Sequence, residues 1–569
     1  MNPKERLNKQ KIVVVGNGMV GHHFIDRLNK SNTDRFEITT FSEESRLAYN
    51  RVMLTSYFSG NSADDLALTT SQAYDEQGVK YFINEEIVEI NRETKKIITA
   101  SGQTVPYDKL VLATGSFPFV PPVPGKDQDH IHVYRTINDL DAIASSAKSS
   151  KVGVVIGGGL LGLEAANAIK QLGLETHVVE FAPRLMAVQL DQDGGDLLRD
   201  KISSLDVAVH TEKNTTEIIA GDNCRYRMNF SDGSFLETDI IVFSAGIRPQ
   251  DKLARQSGLA VGERGGIVIN DNCLTSDESI YAIGECALWN KKIFGLVAPG
   301  YTMAKAAVNH LINVNEESEL IGFSGADMST KLKLLGVEVG SIGDAHGNTP
   351  NSQSYSFVDS VLGTYKKIVV SDDGKTLLGA VLVGDTSEYS HWLPLVLNKV
   401  ALTEPPEHLL LPEIEGGAAN IDSLPDNTQI CACYDVSKLA LKESIANGAH
   451  DVAAIQSCTS AGTGCGGCLS LVTELLMSEL EKIIPTVNIT TESISDNNTY
   501  FIFPSTPNAD ITPDHLIYIG EIANKYNLTT KITSAQCIDL HGAKSHQLPS
   551  IRKKMADVGL ETESSLKEV

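Results

Sequence analysis

The sequence predicts an α/β protein built around two Rossmann-like dinucleotide-binding domains, with smaller domains behind them. Three observations predict it. A short apolar strand runs into a glycine turn and a helix at Gly16, the same order returns at Gly157, and five cysteines crowd between 431 and 468. Length agrees, since 569 residues exceed a single core and allow about four domains of roughly 150 residues each. Apolar residues at 42% and charged residues at 21% are those of a folded globular chain, which excludes a disordered one.

Charge narrows the function classes. Lys and Arg number 48 against 72 Asp and Glu, a formal net charge of -24. A phosphate backbone or anionic membrane would repel such a chain, so neither nucleic acid nor membrane is an expected partner. No apolar run approaches the ~18 residues of a membrane helix. Met1 to Lys11 is polar and charged, with nothing like a signal-peptide core, so the expected location is cytoplasmic.

The first unit reads in order. Ile12 to Val15 is a buried strand, Gly16-Asn17-Gly18-Met19-Val20-Gly21 a turn into a helix, and Phe36 to Phe41 a second strand ending near Glu43 and Glu44. Gly16 allows the tight turn, Gly18 lets backbone approach a pyrophosphate, and Gly21 lets helix and strand pack closely. The phosphates then meet the unpaired N–H groups of a helix N-terminus, and an acid at the second strand's end holds ribose hydroxyls. The second unit repeats this: strand Lys151 to Ile156, turn Gly157-Gly158-Gly159-Leu160-Leu161-Gly162, then strand Thr176 to Val179 ending at Glu180. Two fingerprints imply two nucleotides.

Three further strands end in glycine, at Ala113-Thr114-Gly115, Ser244-Ala245-Gly246 and Ile283-Gly284-Glu285. A small residue and a glycine at a strand's C-terminal end let the chain pass close to a cofactor. An acid at 285 can accept hydrogen bonds from a ribityl chain.

With these residues in register, residues 1 to about 315 resemble the two-nucleotide flavoprotein reductases. The resemblance implies FAD on the first fingerprint and NAD(P)H on the second, with the second domain inserted in the first. The FAD domain is then expected at 1–125 and 246–315, and the NAD(P)H domain at 126–245. The family's FAD contacts fall on Gly16, Gly18, Gly21, Glu43, Arg51, Thr114, Gly115, Gly284 and Glu285, and the second site on Gly157, Gly159, Gly162 and Glu180. The family has Asp where this chain has Glu285, so the acceptor survives with a different reach. Disulfide reductases of this fold carry redox cysteines near the flavin. Here no cysteine precedes Cys224, so another electron acceptor is required.

Residues 316–401 read as an α/β interface domain supporting a homodimer, with Lys331 to Val339 and Leu377 to Val383 as strands. A linker rich in Pro, Glu and Gly covers 402–429. Cys431-Ala432-Cys433 and Cys465-Gly466-Gly467-Cys468 then supply four soft thiolates, a set suited to zinc or an iron–sulfur cluster. Glycines at 462, 464, 466 and 467 leave N–H groups free to point at sulfur, which favours the cluster. The spacing resembles the small helical bacterioferritin-associated-ferredoxin-like domain, which implies a 2Fe–2S cluster on Cys431, Cys433, Cys465 and Cys468 within 430–483. Cys458 is expected as a buried structural residue.

Hydride transfer between stacked rings needs positioning more than an acid or base. Glu164, on the helix after the second glycine turn, is the one weak catalytic candidate, and a plain helix-start carboxylate is the alternative. Glu180 would accept from a free 2′-hydroxyl and repel a 2′-phosphate, so NADH is favoured over NADPH, with Arg184 close enough to soften the preference.

The whole order resembles the large subunit of assimilatory NAD(P)H nitrite reductase. Tyr49-Asn50-Arg51, Leu160-Leu161-Gly162-Leu163-Glu164-Ala165-Ala166, Gly343-Asp344-Ala345-His346-Gly347 and Gly384-Asp385-Thr386-Ser387 carry the likeness. After a second linker at 484–509, Ile511-Thr512-Pro513-Asp514 opens a helix and Thr530-Lys531-Ile532-Thr533 is a strand. They resemble the ferredoxin-like half-domain of sirohaem reductases, expected at 510–562. Two departures stand out. The family's further four cysteines, which hold a 4Fe–4S centre and its sirohaem, are not in this sequence, and Cys537 stands where the family has a sirohaem-pairing Arg. The chain by itself is therefore expected to bind neither sirohaem nor 4Fe–4S and not to reduce nitrite. It is expected to work with a small nitrite-reductase subunit or a separate catalytic subunit. Three functions remain: electron input to nitrite reduction, the electron-transfer subunit of an assimilatory nitrate reductase, or a non-catalytic redox sensor on a flavoprotein fold.

Overall fold

Gln10–Val15 stands at the centre of a five-stranded sheet because every residue from Ile12 to Val15 is apolar and buried on both faces. Its neighbours are Phe36–Phe41 on one side and Lys109–Leu112 on the other, with Lys80–Phe82 and Ile280–Ala282 outside them, all parallel. The second sheet has the same plan. Val152–Ile156 is central between Glu175–Val179 and Ile240–Phe243, flanked by Val207–His210 and Ile131–Val133, again all parallel. In each sheet the strand order reverses at the central strand. The crevice for a nucleotide opens there, beyond the strands' carboxyl ends.

The structure is a computed structural model describing residues 9–31, 35–313, 322–411, 421–464 and 466–483. Further on it describes 499–502, 504–505, 513–526, 528–532, 538–544, 547–557 and 561–562. It separates Met1–Ile484 from Pro485–Val569 as two units.

Within the first unit the chain leaves the first sheet by Ser116–Pro118 and comes back by Ile247–Pro249, and these two strands pair antiparallel. The Ile280–Ala282 strand and the long Val297–Asn313 helix follow that return and pack with the Met19–Ser31 helix. One nucleotide domain is thus inserted in the other.

The next layer is a five-stranded antiparallel sheet, ordered Thr330–Leu334, Val337–Gly343, Leu377–Val383, Thr364–Val370 and Gln353–Asp359. The single strand expected from Lys331 to Val339 is instead a hairpin. Leu335 and Gly336 both have positive φ (50° and 89°), the combination of a tight two-residue hairpin turn, which an apolar run hides. The Tyr389–Leu397 helix covers this sheet, with Trp392 fully buried against it.

That helix shares its apolar core with the cysteine domain, a hairpin (Gln429–Cys431 with Val436–Ser437) followed by the helices Lys438–Ala446, Val452–Thr459 and Leu469–Ile483. The segment expected as a free linker is partly embedded there. Leu409, Leu410, Ile421 and Leu424 are buried in the same core, because a Pro- and Glu-rich stretch still carries large apolar side chains.

The second unit holds a three-stranded sheet in the order Thr499–Ile502, Ile538–Lys544, Thr529–Ile532. The helices Pro513–Tyr526 and Leu548–Asp557 supply Ile519, Ile522, Ile551 and Met555 to its core. Proline is first in its helix, where its missing N–H costs nothing. Ile511, Thr512, Thr533 and Cys537 lie outside the described residues.

Candidate functional site

The two glycine turns are built alike, atom for atom. Gly16 donates its N–H to Phe41 O at 2.9 Å, and Gly157 donates to Val179 O at 2.8 Å. Both have left-handed φ, 104° and 122°, and a Cβ on either would stand 2.2 Å from a carbonyl oxygen, that of Ala113 or Ser244. A Cβ on Gly21 or Gly162 would lie 2.0 or 1.9 Å from the carbonyl oxygen of the first glycine. Those four glycines serve close backbone packing. Gly18 and Gly159 differ, because a Cβ there meets no protein atom within 4 Å and points into open cleft.

Around the first turn a cleft of about 390 Å³ gathers Glu43, Arg51, Thr114, Gly115, Gly284 and Glu285. Glu43 stands exposed at its edge. Its neighbour Glu44 makes the fixed contacts, pairing with the Arg51 guanidinium and accepting from the Tyr49 hydroxyl at 2.8 Å. The Thr114 hydroxyl donates to Gln250 O at 2.6 Å, tying the outgoing strand to the returning one. One oxygen of Glu285 accepts from Arg135 Nη2 at 2.6 Å and from Ser116 Oγ at 2.7 Å. Glu44, Arg135 and Ser116 were not legible as site residues. Glu44 stood beside a better-placed candidate, and Arg135 and Ser116 belong to the two crossings between domains, which carry no motif.

A larger cavity of about 1320 Å³ continues from there, sharing Met19, Arg51, Arg135, Glu285, Leu296 and Val297 with the first cleft. It passes Gly157, Gly159, Glu164 and Glu180 and reaches Cys431, Cys433 and Cys468. Glu180 turns one oxygen to Gly158 N–H (2.5 Å) and the other to Ala182 N–H (2.6 Å). Arg184 is not among the residues lining the cavity and donates Nε to Leu190 O at 3.0 Å, with its stem against Gly195. Burial alone pushes the Glu164 carboxyl up to about 7.

Cys431 and Cys468 are buried, and Cys433 is half-buried. Hydrogen bonds from the Cys433 and Cys468 thiols, and from the backbone at Gly462 and Tyr434, hold the Cys431 thiol well below the usual thiol range against the opposing effect of burial. Three cysteines and the backbone at Gly462 and Tyr434 therefore meet at one place. Gly464 packs there too, where a Cβ would lie 3.1 Å from Cys433 Cβ. Among the described residues no three His, Cys, Asp or Glu side chains complete a metal site, and the fourth cysteine, Cys465, lies outside them. Cys458 is exposed, not buried as expected, because it falls on the outer face of the Val452–Thr459 helix, whose buried residue is Ile455.

Comparison with known proteins agrees with this layout. Residues 10–310 match the pyridine nucleotide-disulphide oxidoreductase family, although no cysteine occurs before Cys224. Residues 329–400 match the rubredoxin NAD+ reductase C-terminal domain, 429–478 the BFD-like [2Fe-2S] binding domain, and 494–558 the nitrite/sulfite reductase ferredoxin-like half domain. A ferredoxin reductase of Rhodopseudomonas palustris has a similar structure (TM-score 0.63, 25% identity), over 70% of this chain and 97% of that one. The nitrite reductase (NADH) large subunit of Escherichia coli is 48% identical over 98% of this chain and 74% of its own length. For the NAD(P)H enzyme's large subunit from Klebsiella oxytoca the identity is 46%, over 98% of this chain and 65% of the relative. Glycine turns, cysteine domain and half-domain thus occur together and in order, and the chain belongs to the family of NAD(P)H nitrite reductase large subunits.

Proposed function

We propose that this chain is the electron-input part of an assimilatory nitrite reductase (nitrite to ammonium), moving electrons from NADH through FAD to a 2Fe–2S cluster. One observation carries the reading: a single continuous cavity joins the second glycine turn, the Arg51–Glu285 region and the sulfurs of Cys431, Cys433 and Cys468. The half-domain match favours nitrite reduction over the nitrate-reductase subunit, and two intact glycine turns argue against a redox sensor without catalysis.

The residues fit the groups. Gly18 and Gly159 leave room for phosphates against helix N-termini, and the Glu285–Arg135–Ser116 cluster places an acceptor for a ribityl chain. Three gathered thiols with backbone N–H donors suit an iron–sulfur cluster completed by Cys465. When bound, flavin supplies two-electron acceptance from hydride and one-electron release, which matches a one-electron cluster. Glu180 receives the adenosine ribose, and with Arg184 outside the cavity lining and bonded to Leu190 O, a 2′-phosphate finds no counter-charge from it, so NADH is the donor. Glu164 positions the nicotinamide end.

A small nitrite-reductase subunit is the expected partner. A homodimer through the Gln353–Asp359 edge suits the exposed Val358, Val361 and Leu362. The net charge and thiol-rich domain fit a reducing cytoplasm. Anaerobic NADH titration of purified protein, followed by absorption and paramagnetic resonance, tests the reading. Flavin bleaching followed by a reduced-cluster signal is expected, and bleaching with no cluster signal would overturn it.

A further inference from the structure

Two helices of the FAD domain carry a ring one turn beyond the junction of the two cavities. Met19 and Val297 line both cavities, and His23 and Tyr301 follow them at the i+4 position on the Met19–Ser31 and Val297–Asn313 helices. The two rings stack, with centroids 4.1 Å apart and planes 20° from parallel. Tyr434, the residue directly after Cys433, lies against both, 5.9 Å from Tyr301 and 6.1 Å from His23. One residue further, Asp435 pairs with Lys305, itself one turn beyond Tyr301, and accepts from Gln429 Nε2 at 2.7 Å. Three rings and an ion pair therefore clamp the cysteine loop onto the two helices that reach the cavity junction.

Ordinary packing accounts for the burial of Tyr301. It does not account for the placement, in which each helix's ring is one turn from the junction and the third ring is bonded in sequence to a cysteine of the cluster set. Electron tunnelling falls steeply with distance and passes more readily through packed atoms than across a water-filled gap. A packed aromatic contact in this position sets both the distance and the medium. His23 enters it uncharged near neutral pH, since burial first, and then Arg27, holds its ring down to about 4.

We propose that the His23–Tyr301–Tyr434 contact, clamped by Lys305–Asp435, is the positioning joint that sets the rate of one-electron transfer from flavin to cluster. It rests on the NADH-to-FAD-to-cluster reading above. NADH supplies the electron pair as hydride and leaves as NAD+. Over two successive transfers the reduced flavin gives up both electrons and the one proton that arrived with the hydride, which passes to solvent; each electron reduces the cluster by one, and the cluster hands the first to a one-electron acceptor before taking the second.

The test is anaerobic stopped-flow mixing of the loaded protein with NADH, with flavin and cluster absorbance followed separately. In Tyr434→Leu the flavin-bleaching phase should persist while cluster reduction slows by about tenfold or more, as expected for a misplaced reaction partner. Tyr434→Phe keeps the ring and should restore the rate. Iron and flavin contents are measured alongside, together with thermal unfolding of Tyr301→Leu, Tyr434→Leu and the double variant, whose shifts should be non-additive. Lys305→Met, which leaves the cysteine loop's own residues intact, should slow cluster reduction in the same direction. Cluster reduction at the parent rate in Tyr434→Leu with full iron content overturns the joint. Loss of iron in both Tyr434→Leu and Lys305→Met also overturns it, because the contact would then only hold the loop together. Failure of the parent protein to reduce its cluster would instead overturn the underlying reading.

Discussion

Arg135 and Glu285 meet at 2.6 Å although they belong to opposite sides of the crossing between the two nucleotide domains. Both side chains are largely buried, at 17% and 15% exposure, and the carboxylate is held by that guanidinium and by Ser116. Removing one partner of such a pair leaves an uncompensated charge, with a cost on the order of 2 kcal/mol for a site that is not fully dry. Arg135→Met should therefore weaken flavin retention and lower the temperature of flavin release. Flavin content after gel filtration and the fluorescence of released flavin on heating measure this. Parent-like retention would remove the pair from the FAD site.

The paired glycine turns make a sharper prediction. A Cβ at Gly157 would collide with Ser244 O, whereas one at Gly159 meets only open cleft. Gly157→Ala should misfold or lose the second domain's stability. Gly159→Ala should fold normally and raise the KM for NADH, because the methyl group intrudes only on bound phosphate. Circular dichroism and steady-state kinetics separate the two outcomes. Gly16→Ala and Gly18→Ala should divide in the same way for FAD.

On the proposed reading, nucleotide choice rests on Glu180, with Arg184 Nε bonded to Leu190 O. In Glu180→Ala the repulsion of a 2′-phosphate and the acceptor for the 2′-hydroxyl both go. The preference for NADH should fall by about 10- to 100-fold, the size of one charged hydrogen bond. The ratio of kcat/KM for the two nucleotides reads it directly. Arg184→Ala should leave that ratio where it was.

Much of this was legible because the nucleotide sites are local in sequence. A strand, three glycines and an acid within one βαβ unit are enough to place Gly16, Gly157 and Glu180, since backbone geometry demands them there. What escaped was set by tertiary approach. Glu285 could be read from its strand end, but Arg135 and Ser116 come from two other segments, and no spacing rule connects them to it. The Leu335-Gly336 turn was hidden inside an apolar run, where a buried strand and a buried hairpin look alike. Cys458 was misjudged because hydrophobicity ranks residue types and says nothing of which helix face a thiol occupies.

The cysteine domain separates the two halves of the proposed reaction. Cys431 is the most enclosed of the described cysteines in the set, at 2% exposure, and accepts from the other two described thiols. Cys431→Ser should lose the cluster's absorption and its paramagnetic signal while NADH still bleaches the flavin, since Cys431 lies outside both glycine turns. Cys458→Ser, at an exposed position, should keep iron content and both signals.

Glu164 gives a prediction about pH with a definite sign. Its carboxyl is pushed up to about 7 by burial, against an ordinary value of about 4.3 in an unfolded chain. Below the unfolded value both states are protonated and nothing is lost. Between the two values the folded protein holds a proton that the unfolded chain has released, so stability falls as pH rises and the loss is complete above about 7. Glu164→Gln cannot ionise and should flatten this part of the stability profile, raising thermal stability most above pH 7. The same carboxyl faces the cavity beside the second glycine turn. If it meets the nicotinamide amide there, as proposed, the protonated carboxyl would donate a hydrogen bond that the ionised form could not. Flavin bleaching by NADH should therefore decline as pH rises through about 7 in the parent and stay level in Glu164→Gln. A parent profile that is flat for both stability and bleaching would show that the carboxyl is solvated, and would return Glu164 to the role of an ordinary helix-start acid.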